Sequence, residues 1–397
     1  MPLRDIFCQD RAILILQQAF AAGKVPHAYI FAGLEGIGKF KTAREWAKLL
    51  LCKNPRWINH ELTRIDTGKK INNELVQIRE NSRQKTNFAD SCGSCRSCQL
   101  LEAGSHPDFN NVYKELLQFT KDGKGKTTPV DLPIDVIREF LIEKVQTKPT
   151  LSQRKIFIVS EAEKLNASSQ NCLLKVLEEP PPYCCIILLC TRMEQLLPTI
   201  KSRCQIVRFS PINEEKILEK LKELGVGQKQ AQYFARLSDG SLGRACRWAE
   251  LELAKANLYQ TKKKLVSSLA DYELSDSLDL AQQFLDEGKK IASVWSDLDN
   301  TTSKTDINRR AAKTLIHVII SVLHDVMKLN VTPEKDLINF DQTAEVKKLA
   351  ERFNCEQTAE KIADCYKTLR WVDSAVNEKL IFEELLLNLA YSDIMKV

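Results

Sequence analysis

The sequence predicts an α/β protein in which a parallel sheet carries helices on both faces and is followed by a region of helices. Three observations lead to this prediction. Short apolar runs alternate with amphipathic stretches through residues 27–211, the pattern of strands and their crossover helices. One apolar run leads into GLEGIGK (33–39), which has the form of a phosphate-binding loop, or P-loop. After Pro211 the strand-like runs stop, and residues 251–397 are nearly all helical in pattern.

The elements of the α/β part follow from local pattern. The helix at its start ends where Gly23 and Pro26 interrupt the apolar period, and a later helix begins at the capping residue Asn166 and is stopped by three prolines. The full predicted order is a helix at 10–22, a strand at 27–33, a helix at 42–52, a helix at 134–145, a strand at 156–159, a helix from 166, a strand at 184–191, a helical turn after 197 and a strand ending near 211.

Two stretches lack a clear period. Residues 53–91 are rich in charge and poor in large apolar side chains, and they are predicted to be an inserted, partly mobile surface segment. Residues 121–128 are predicted to be a flexible loop. In the helical part, residues 212–250 are expected to hold two or three short helices.

The composition is that of an ordinary globular protein. Apolar residues make up 44% and charged residues 28% of the 397 residues. No apolar run reaches the roughly 18 residues of a membrane helix, and the N-terminal stretch lacks the cleavage site of a signal peptide. We therefore expect a cytoplasmic protein that does not enter membranes. The net charge of +6 permits contact with nucleic acid but does not require it.

Two groups stand out among the thirteen cysteines. Five lie in apolar surroundings, where they are expected to act as small buried apolar residues rather than as disulfides: Cys172, Cys184, Cys185, Cys190 and Cys204. In contrast, SCGSCRSC places Cys92, Cys95 and Cys98 at a spacing that presents three thiolates to one ion.

A closed tetrahedral site needs a fourth ligand. We choose Cys52, at the end of the P-loop helix, and retain His60 and His106 as alternatives. The sequence favours structural zinc, because the further cysteine and proline of a common iron–sulfur pattern are absent. Three unliganded cysteines remain the other interpretation.

The P-loop departs from its pattern at one position. The loop offers Gly33, Gly36, Gly38 and Lys39 to phosphates, but Phe40 replaces the Ser or Thr whose hydroxyl holds magnesium. A second magnesium-related Asp is expected at the end of a buried strand, and here Ser160 occupies its place while the following Glu161 remains.

Because both altered positions serve the same ion, we expect magnesium-dependent hydrolysis to be impaired or absent. Binding of ATP or ADP through Lys39 and the backbone N–H groups does not need the lost groups. The alternative is a glycine-rich strand–helix turn that binds nothing.

Together these features resemble the delta-prime family of bacterial DNA polymerase III clamp-loader subunits, which are AAA+ proteins. The likeness covers about residues 10–250. The matching stretches are KVPHAYIFAGLEGIGK (24–39), the four cysteines, GSHPDF (104–109), IDVIRE (134–139), LLKVLEEPPP (173–182), LPTIKSRCQ (197–205) and DGSLGRA (239–245).

The resemblance implies roles for three further residues. Arg203, in SRC, would act as an arginine finger in trans on ATP bound to a neighbouring subunit. Thr191 falls at the position of the first sensor residue of the family, and Arg244 at the second, where both would contact nucleotide.

The resemblance also implies an architecture and partners. It divides the chain into an AAA+ P-loop domain (1–211) with a zinc module (52–98), a helical lid (212–250) and an all-α collar (251–397). The partners would be motor subunits of the gamma/tau type and a clamp-opening subunit of the delta type, with DNA and the sliding clamp met mainly through the complex. Two alternatives are an autonomous ATPase motor subunit and a zinc-dependent nucleic-acid-binding module.

Overall fold

The computed structural model describes residues 2–60, 86–123, 129–299, 302–329, 333–373 and 377–390. The chain divides into two compact units, Met1–Ser210 and Pro211–Val397. Within the described ranges, every helix is too short or too polar to cross a lipid bilayer.

The first unit is built on a five-stranded parallel sheet, as the alternation of strands and helices predicts. Its strands are β1 (Ala28–Ala32), β4 (Phe109–Val112), β5 (Lys155–Val159), β6 (Cys184–Cys190) and β7 (Gln205–Arg208), in the spatial order β4–β5–β6–β1–β7. The helices of this unit are α1 (Asp10–Ala21), α2 (Lys39–Leu51), α3 (Arg96–Glu102), α4 (Ile134–Ile137), α5 (Glu143–Val145), α6 (Ala167–Glu178) and α7 (Pro198–Arg203). A π-helical segment, Arg138–Ile142, joins α4 to α5, so the helix predicted over 134–145 is present but irregular.

The sheet separates two apolar cores, which confirms helices on both faces. Along β1, Ile30 faces a core shared with α6 and α7, whereas Tyr29 and Phe31 face a core shared with α1 and α2. This alternation explains why the central strands are continuous apolar runs, because a strand that is covered on both faces has no residue that faces solvent. Four of the five cysteines expected to be buried are so, and Cys172 is only half-buried.

The predicted surface segment 53–91 contains more structure than its sequence indicates. Strands β2 (Arg56–His60) and β3 (Thr86–Asp90) pair in antiparallel fashion at its two ends, and residues 61–85 lie outside the described residues. The Gln17 side chain bonds both backbone groups of Ala89, at 2.7 and 2.8 Å, which ties β3 to α1. Tertiary contacts, rather than an apolar period, therefore define these strands. Of the loop predicted at 121–128, only residues 121–123 are described.

The second unit contains only helices in its described part. They are α8 (Glu214–Glu223), α9 (Gln228–Leu237), α10 (Leu242–Leu253), α11 (Leu258–Ala270), α12 (Ser277–Leu298), α13 (Lys304–Lys328), α14 (Thr343–Arg352), α15 (Cys355–Asp373) and α16 (Glu378–Ala390). The long helix α13 packs against α12, α14 and α15, and α16 packs against α12 and α15. The predicted division into a lid and a collar stays a prediction.

Candidate functional site

The P-loop joins β1 to α2, as its sequence pattern predicts. Gly33, Gly36 and Gly38 all have positive φ, and Gly38 forms the N-cap of α2 in the left-handed conformation. At Gly33 the requirement is also steric, because an added Cβ would lie 2.6 Å from Ile37 Cδ1 and 2.8 Å from the Phe209 carbonyl oxygen. The glycines thus let the backbone turn sharply into a helix N-terminus, the geometry that suits phosphate.

Lys39 is turned back onto its own loop. The side chain is buried, and its Nζ donates to the carbonyl oxygens of Gly33 at 2.5 Å and Leu34 at 2.6 Å. Burial lowers the Lys39 pKa, while the carboxylates of Glu163 and Glu35 act in the opposite direction. The ammonium group is therefore held at the loop by partners that a phosphate could replace.

The structure shows what surrounds Phe40 and Ser160, the two residues that replace the magnesium-binding groups of the usual pattern. Phe40 lies in the first turn of α2 and is 43% exposed. The nearest hydroxyl-bearing residue of that turn, Thr42, donates its Oγ1 to the Gly38 carbonyl at 3.0 Å. Ser160 directly follows β5, and Glu161 pairs at 2.7 Å with Lys164 Nζ. The Ser160 position thus carries a hydroxyl in place of the expected Asp, and the adjacent Glu161 carboxylate is paired with a lysine.

Thr191 follows β6 at the same edge of the sheet as the P-loop. Ala32 pairs with Cys190 across β1 and β6, so the residues after these two strands are neighbours at the carboxyl edge. The Thr191 backbone N–H donates to Glu163 Oε2 at 3.1 Å, and its hydroxyl donates to the other oxygen of the same carboxylate. The predicted sensor residue is therefore bound to a protein carboxylate.

Glu163 is the residue of this site that sequence reasoning missed. Only 9% of it is exposed, and it holds Thr191 while contributing negative charge beside Lys39. The one signal in the sequence was its place in the acidic stretch after β5, two residues beyond Glu161.

Arg203 occupies the last turn of α7. Its Nη1 donates to the Thr199 carbonyl at 3.0 Å, and its Nη2 lies 3.0 Å from Glu178 Oε1 at the end of α6. The Arg203 side chain is 36% exposed. Arg244 belongs to the second unit, where its backbone N–H donates to the Ser241 hydroxyl that caps α10. The nucleotide contact expected of Arg244 stays a prediction.

The four predicted metal ligands do come together. The sulfur atoms of Cys52, Cys92, Cys95 and Cys98 all lie within 4.8 Å of one another. Individual Sγ–Sγ distances are 3.5 Å for Cys52–Cys92 and 4.0 Å for both Cys52–Cys95 and Cys92–Cys98. Four thiolates placed tetrahedrally about 2.3 Å from zinc are about 3.8 Å apart, so the cluster fits such an ion.

Local structure favours the thiolate form at two of the four cysteines, Cys92 and Cys95. Burial opposes ionisation of Cys92, but backbone N–H groups of Cys95 and Ser94 donate to its sulfur and lower its pKa to about 6. Cys95 has a lowered pKa, because backbone N–H groups of Cys98 and Lys53 outweigh its burial. Burial raises the pKa of Cys52 and Cys98. A bound cation would stabilise all four thiolates.

The alternative ligand His106 is engaged elsewhere. Its Nε2 lies 2.6 Å from Ser97 Oγ, and its Nδ1 accepts from the backbone N–H of Asp108 at 3.1 Å. Both ring nitrogens are therefore occupied by protein groups. The side chain of the other alternative, His60, lies outside what the structure describes.

The cysteine cluster is joined to the P-loop helix. Cys52 is the C-cap of α2, and Cys95 is the N-cap of α3. Glu102, at the end of α3, accepts from Arg44 at 3.0 Å and from Lys48, both on α2. A metal held by the cysteines would thus reinforce the attachment of α3 to the helix that begins at the P-loop.

The fold and site define a P-loop protein of the α/β class that also carries a four-cysteine cluster. Two family models match its sequence. The family described as DNA polymerase III, delta subunit, matches residues 8–77 and 68–213, and the family described as DNA polymerase III, delta subunit, C terminal, matches residues 300–390. The first match covers more than half of the 397 residues, so the chain belongs to the DNA polymerase III delta-subunit family.

Similar proteins bear related names. The chain is 30% identical to DNA polymerase III subunit delta-prime of Escherichia coli, over 64% of this chain and 62% of that protein. It is 27% identical to the delta-prime subunit of Bacillus subtilis, over 64% of each chain. It is also 24% identical to the tau subunit of Salmonella typhimurium, over 83% of this chain and 44% of that protein. The match thus spans a little under two thirds of the two delta-prime subunits.

Solved structures give a weaker likeness. A DNA polymerase III gamma subunit-related protein of Thermotoga maritima has 19% identity and a TM-score of 0.33, covering 73% of this chain and 88% of that one. The clamp loader delta protein of Bacillus subtilis has 12% identity and a TM-score of 0.28, covering 95% of this chain and 99% of that one. The family assignment rests on the sequence matches.

Proposed function

We propose that this chain is a non-motor, delta-prime-like subunit of a DNA polymerase III clamp loader, acting in DNA replication. The observation that carries the proposal is a contrast between two sites. The chain's own nucleotide site lacks both groups that hold magnesium, one after the P-loop at Phe40 and one after β5 at Ser160, while Arg203 presents a partly exposed guanidinium at a helix end. Such a chain is suited to contributing an arginine to a neighbour's active site rather than to hydrolysing ATP in its own site.

The state of the P-loop supports the first half of this proposal. Phe40 and Ser160 remove the groups that would bind magnesium, so ATP hydrolysis by this chain is impaired or absent. ATP or ADP can still bind through the backbone N–H groups of the loop and through Lys39, provided that Lys39 leaves its present carbonyl partners.

The position of Arg203 supports the second half. An arginine finger must reach outward, and it stabilises the charge that develops on the transferred phosphoryl group. In comparable systems such an arginine changes turnover by roughly 10³- to 10⁵-fold. The proposed neighbour is a gamma/tau-type motor subunit, and a delta-type subunit is the second proposed partner in a cytoplasmic hetero-oligomer. DNA and the sliding clamp are met through that complex.

The cysteine cluster is proposed to hold structural Zn²⁺. Four thiolates fill a tetrahedral coordination sphere and leave no open position for substrate. The ion therefore stabilises the fold between α2 and α3 and takes no part in the reaction.

The test is ATP turnover by the clamp loader assembled with Arg203→Ala. We expect turnover to fall at least tenfold, by the removal of a transition-state contact, while gel filtration shows an intact complex. Arg208→Ala is the matched control, since Arg208 is also exposed and lies on the adjoining strand β7. Unchanged turnover in the Arg203 variant would exclude the trans role.

A further inference from the structure

A carboxylate accompanies the guanidinium of Arg203. Glu178 Oε1 lies 3.0 Å from Arg203 Nη2, while the Thr199 carbonyl accepts from Nη1 at 3.0 Å. The two contacts reach the guanidinium from different helices, α6 and α7. They hold a long side chain that would otherwise sample many rotamers.

These contacts leave part of the guanidinium available. Arginine has five N–H donors in a planar arrangement. The contact with Glu178 uses one hydrogen of Nη2, while Nη1 donates to the Thr199 carbonyl and lies 3.5 Å from the Ser202 hydroxyl, so the second Nη2 hydrogen and the Nε–H remain to bind phosphate oxygens. Arg203 can therefore stay attached to its own chain while it contacts an anion.

Glu178 itself is firmly placed. It is the last residue of α6, and Pro180 to Pro182 follow Glu179, which prevents the helix from continuing. Leu177 of α6 and Ile200 of α7 belong to the same apolar core. The carboxylate and the arginine thus stand on two helices fixed by packing, the arrangement that holds a functional side chain accurately.

We propose that Glu178 is a positioning residue for Arg203, which fixes the guanidinium in the orientation that reaches the phosphates of ATP in the neighbouring subunit. This inference rests on the trans role proposed for Arg203. It assigns to Glu178 a contribution to turnover and little contribution to folding, because an exposed ion pair adds little stability. Glu178 is 50% exposed, and a negative charge at a helix C-terminus is itself unfavourable.

The experiment measures steady-state ATP hydrolysis by the assembled clamp loader carrying Glu178→Gln. Loss of orientation should lower kcat roughly three- to tenfold and leave KM within about a factor of two, since nucleotide binding in the neighbour is not altered. Glu178→Asp should recover part of kcat. The matched control is Glu179→Gln, because Glu179 is the adjacent exposed carboxylate, and it should behave as wild type.

A double-mutant cycle separates positioning from an independent surface effect. If Glu178 acts through Arg203, Glu178→Gln should cause no further loss in an Arg203→Ala background. Additive losses would overturn the inference, and so would a Glu178 variant that matches the Glu179 control while Arg203→Ala slows turnover. That last result would leave the proposed function intact. No effect of Arg203→Ala would overturn both.

Discussion

His106 has a structural role at the point where the cysteine module meets the sheet. Its ring lies between Ser97 of α3 and the backbone of Asp108, just before β4. Asp108 in turn accepts N–H bonds from Thr150, Leu151 and Ser152 at 2.6 to 2.8 Å. Burial lowers the His106 pKa, with Asp108 acting in the opposite direction. The neutral ring is the form that fits, because Nδ1 must remain an acceptor.

Stability should therefore depend on the protonation of His106. Its folded-state pKa lies below the unfolded value of about 6.5, so the unfolded chain binds the proton first. The stabilisation is complete above about pH 6.5 and is lost as the pH falls through the lowered folded-state pKa. We expect the free energy of unfolding, measured in urea between pH 7.5 and pH 5, to fall less steeply in His106→Asn than in wild type. Parallel pH profiles would contradict this account.

The residues of the site differ in how far sequence could identify them. Lys39 and the three clustered cysteines were identifiable because their function imposes a fixed local spacing. Glu163 was not, because its partner Thr191 is 28 residues away and meets it only through the packing of the elements that follow β5 and β6. Glu178 was not identifiable either, because it contacts Arg203 only when α7 packs beside α6.

Helix α2 connects the P-loop to the cysteine cluster. It begins at Lys39 and ends at Leu51, and its C-cap is Cys52. The Ser152 hydroxyl donates to the Leu51 carbonyl at 3.3 Å and lies 3.1 Å from Ser97 Oγ, which brings the segment before β5 to the same point. The end of α2 is thus held by the cysteines and by this hydroxyl network.

Removal of the metal should loosen this junction. We expect the purified chain to be colourless with one zinc per molecule, and chelation to lower the Tm of the first unit by about 5–15 °C through loss of a ligand bound only by the folded state. Cys95→Ser should reproduce the effect, whereas Cys355→Ser should not, because Cys355 is an exposed thiol of the second unit. A brown chromophore would indicate iron and sulfur instead, and an unchanged Tm would show that the cluster does not stabilise the fold.

The predictability of the elements follows their burial. The strands β1, β5 and β6 are covered on both faces, so each is a readable apolar run. The edge strand β4 has the sequence FNNV and pairs on one side only, with β5. Its polar residues do not form the apolar run that predicts a strand. Strands β2 and β3 were not predicted for a similar reason, because their conformation depends on the strands and helices they contact more than on their own residues.

The proposed function predicts that this chain supports ATP turnover only when it is assembled with a motor subunit. Purified alone with magnesium and ATP, it should show no turnover above that of Lys39→Ala, because Phe40 has no hydroxyl for the ion and Ser160 does not supply the expected carboxylate. Adding a motor subunit should produce turnover that depends on Arg203. Robust turnover by the isolated chain, lost in the Lys39 variant, would instead identify an autonomous ATPase.

The general organisation was predictable because it depends on long-range composition. The change from alternating strands and helices to helices alone occurs at residue 211 in sequence, and the boundary between the two compact units falls between Ser210 and Pro211. The helix content of the second unit follows from its apolar period, but that period does not say which helices pair. The packing of α13 against α12, α14 and α15 required the structure.

The paired strands β2 and β3 also make the chain convenient to modify. His60 and Thr86 are directly opposite each other, so the two ends of the interval between them are fixed at one place. Gln17 and Asp90 secure β3 through bonds to Ala89 and to the Leu3 backbone N–H, independently of what joins the strands. Because the entropy of joining two fixed ends rises only slowly with the length of chain between them, an insertion between His60 and Thr86 should leave this strand pair intact, and an epitope, a fluorescent label or a surface anchor can be placed there. It offers a handle for attaching the molecule in single-molecule experiments without altering the sheet or the P-loop.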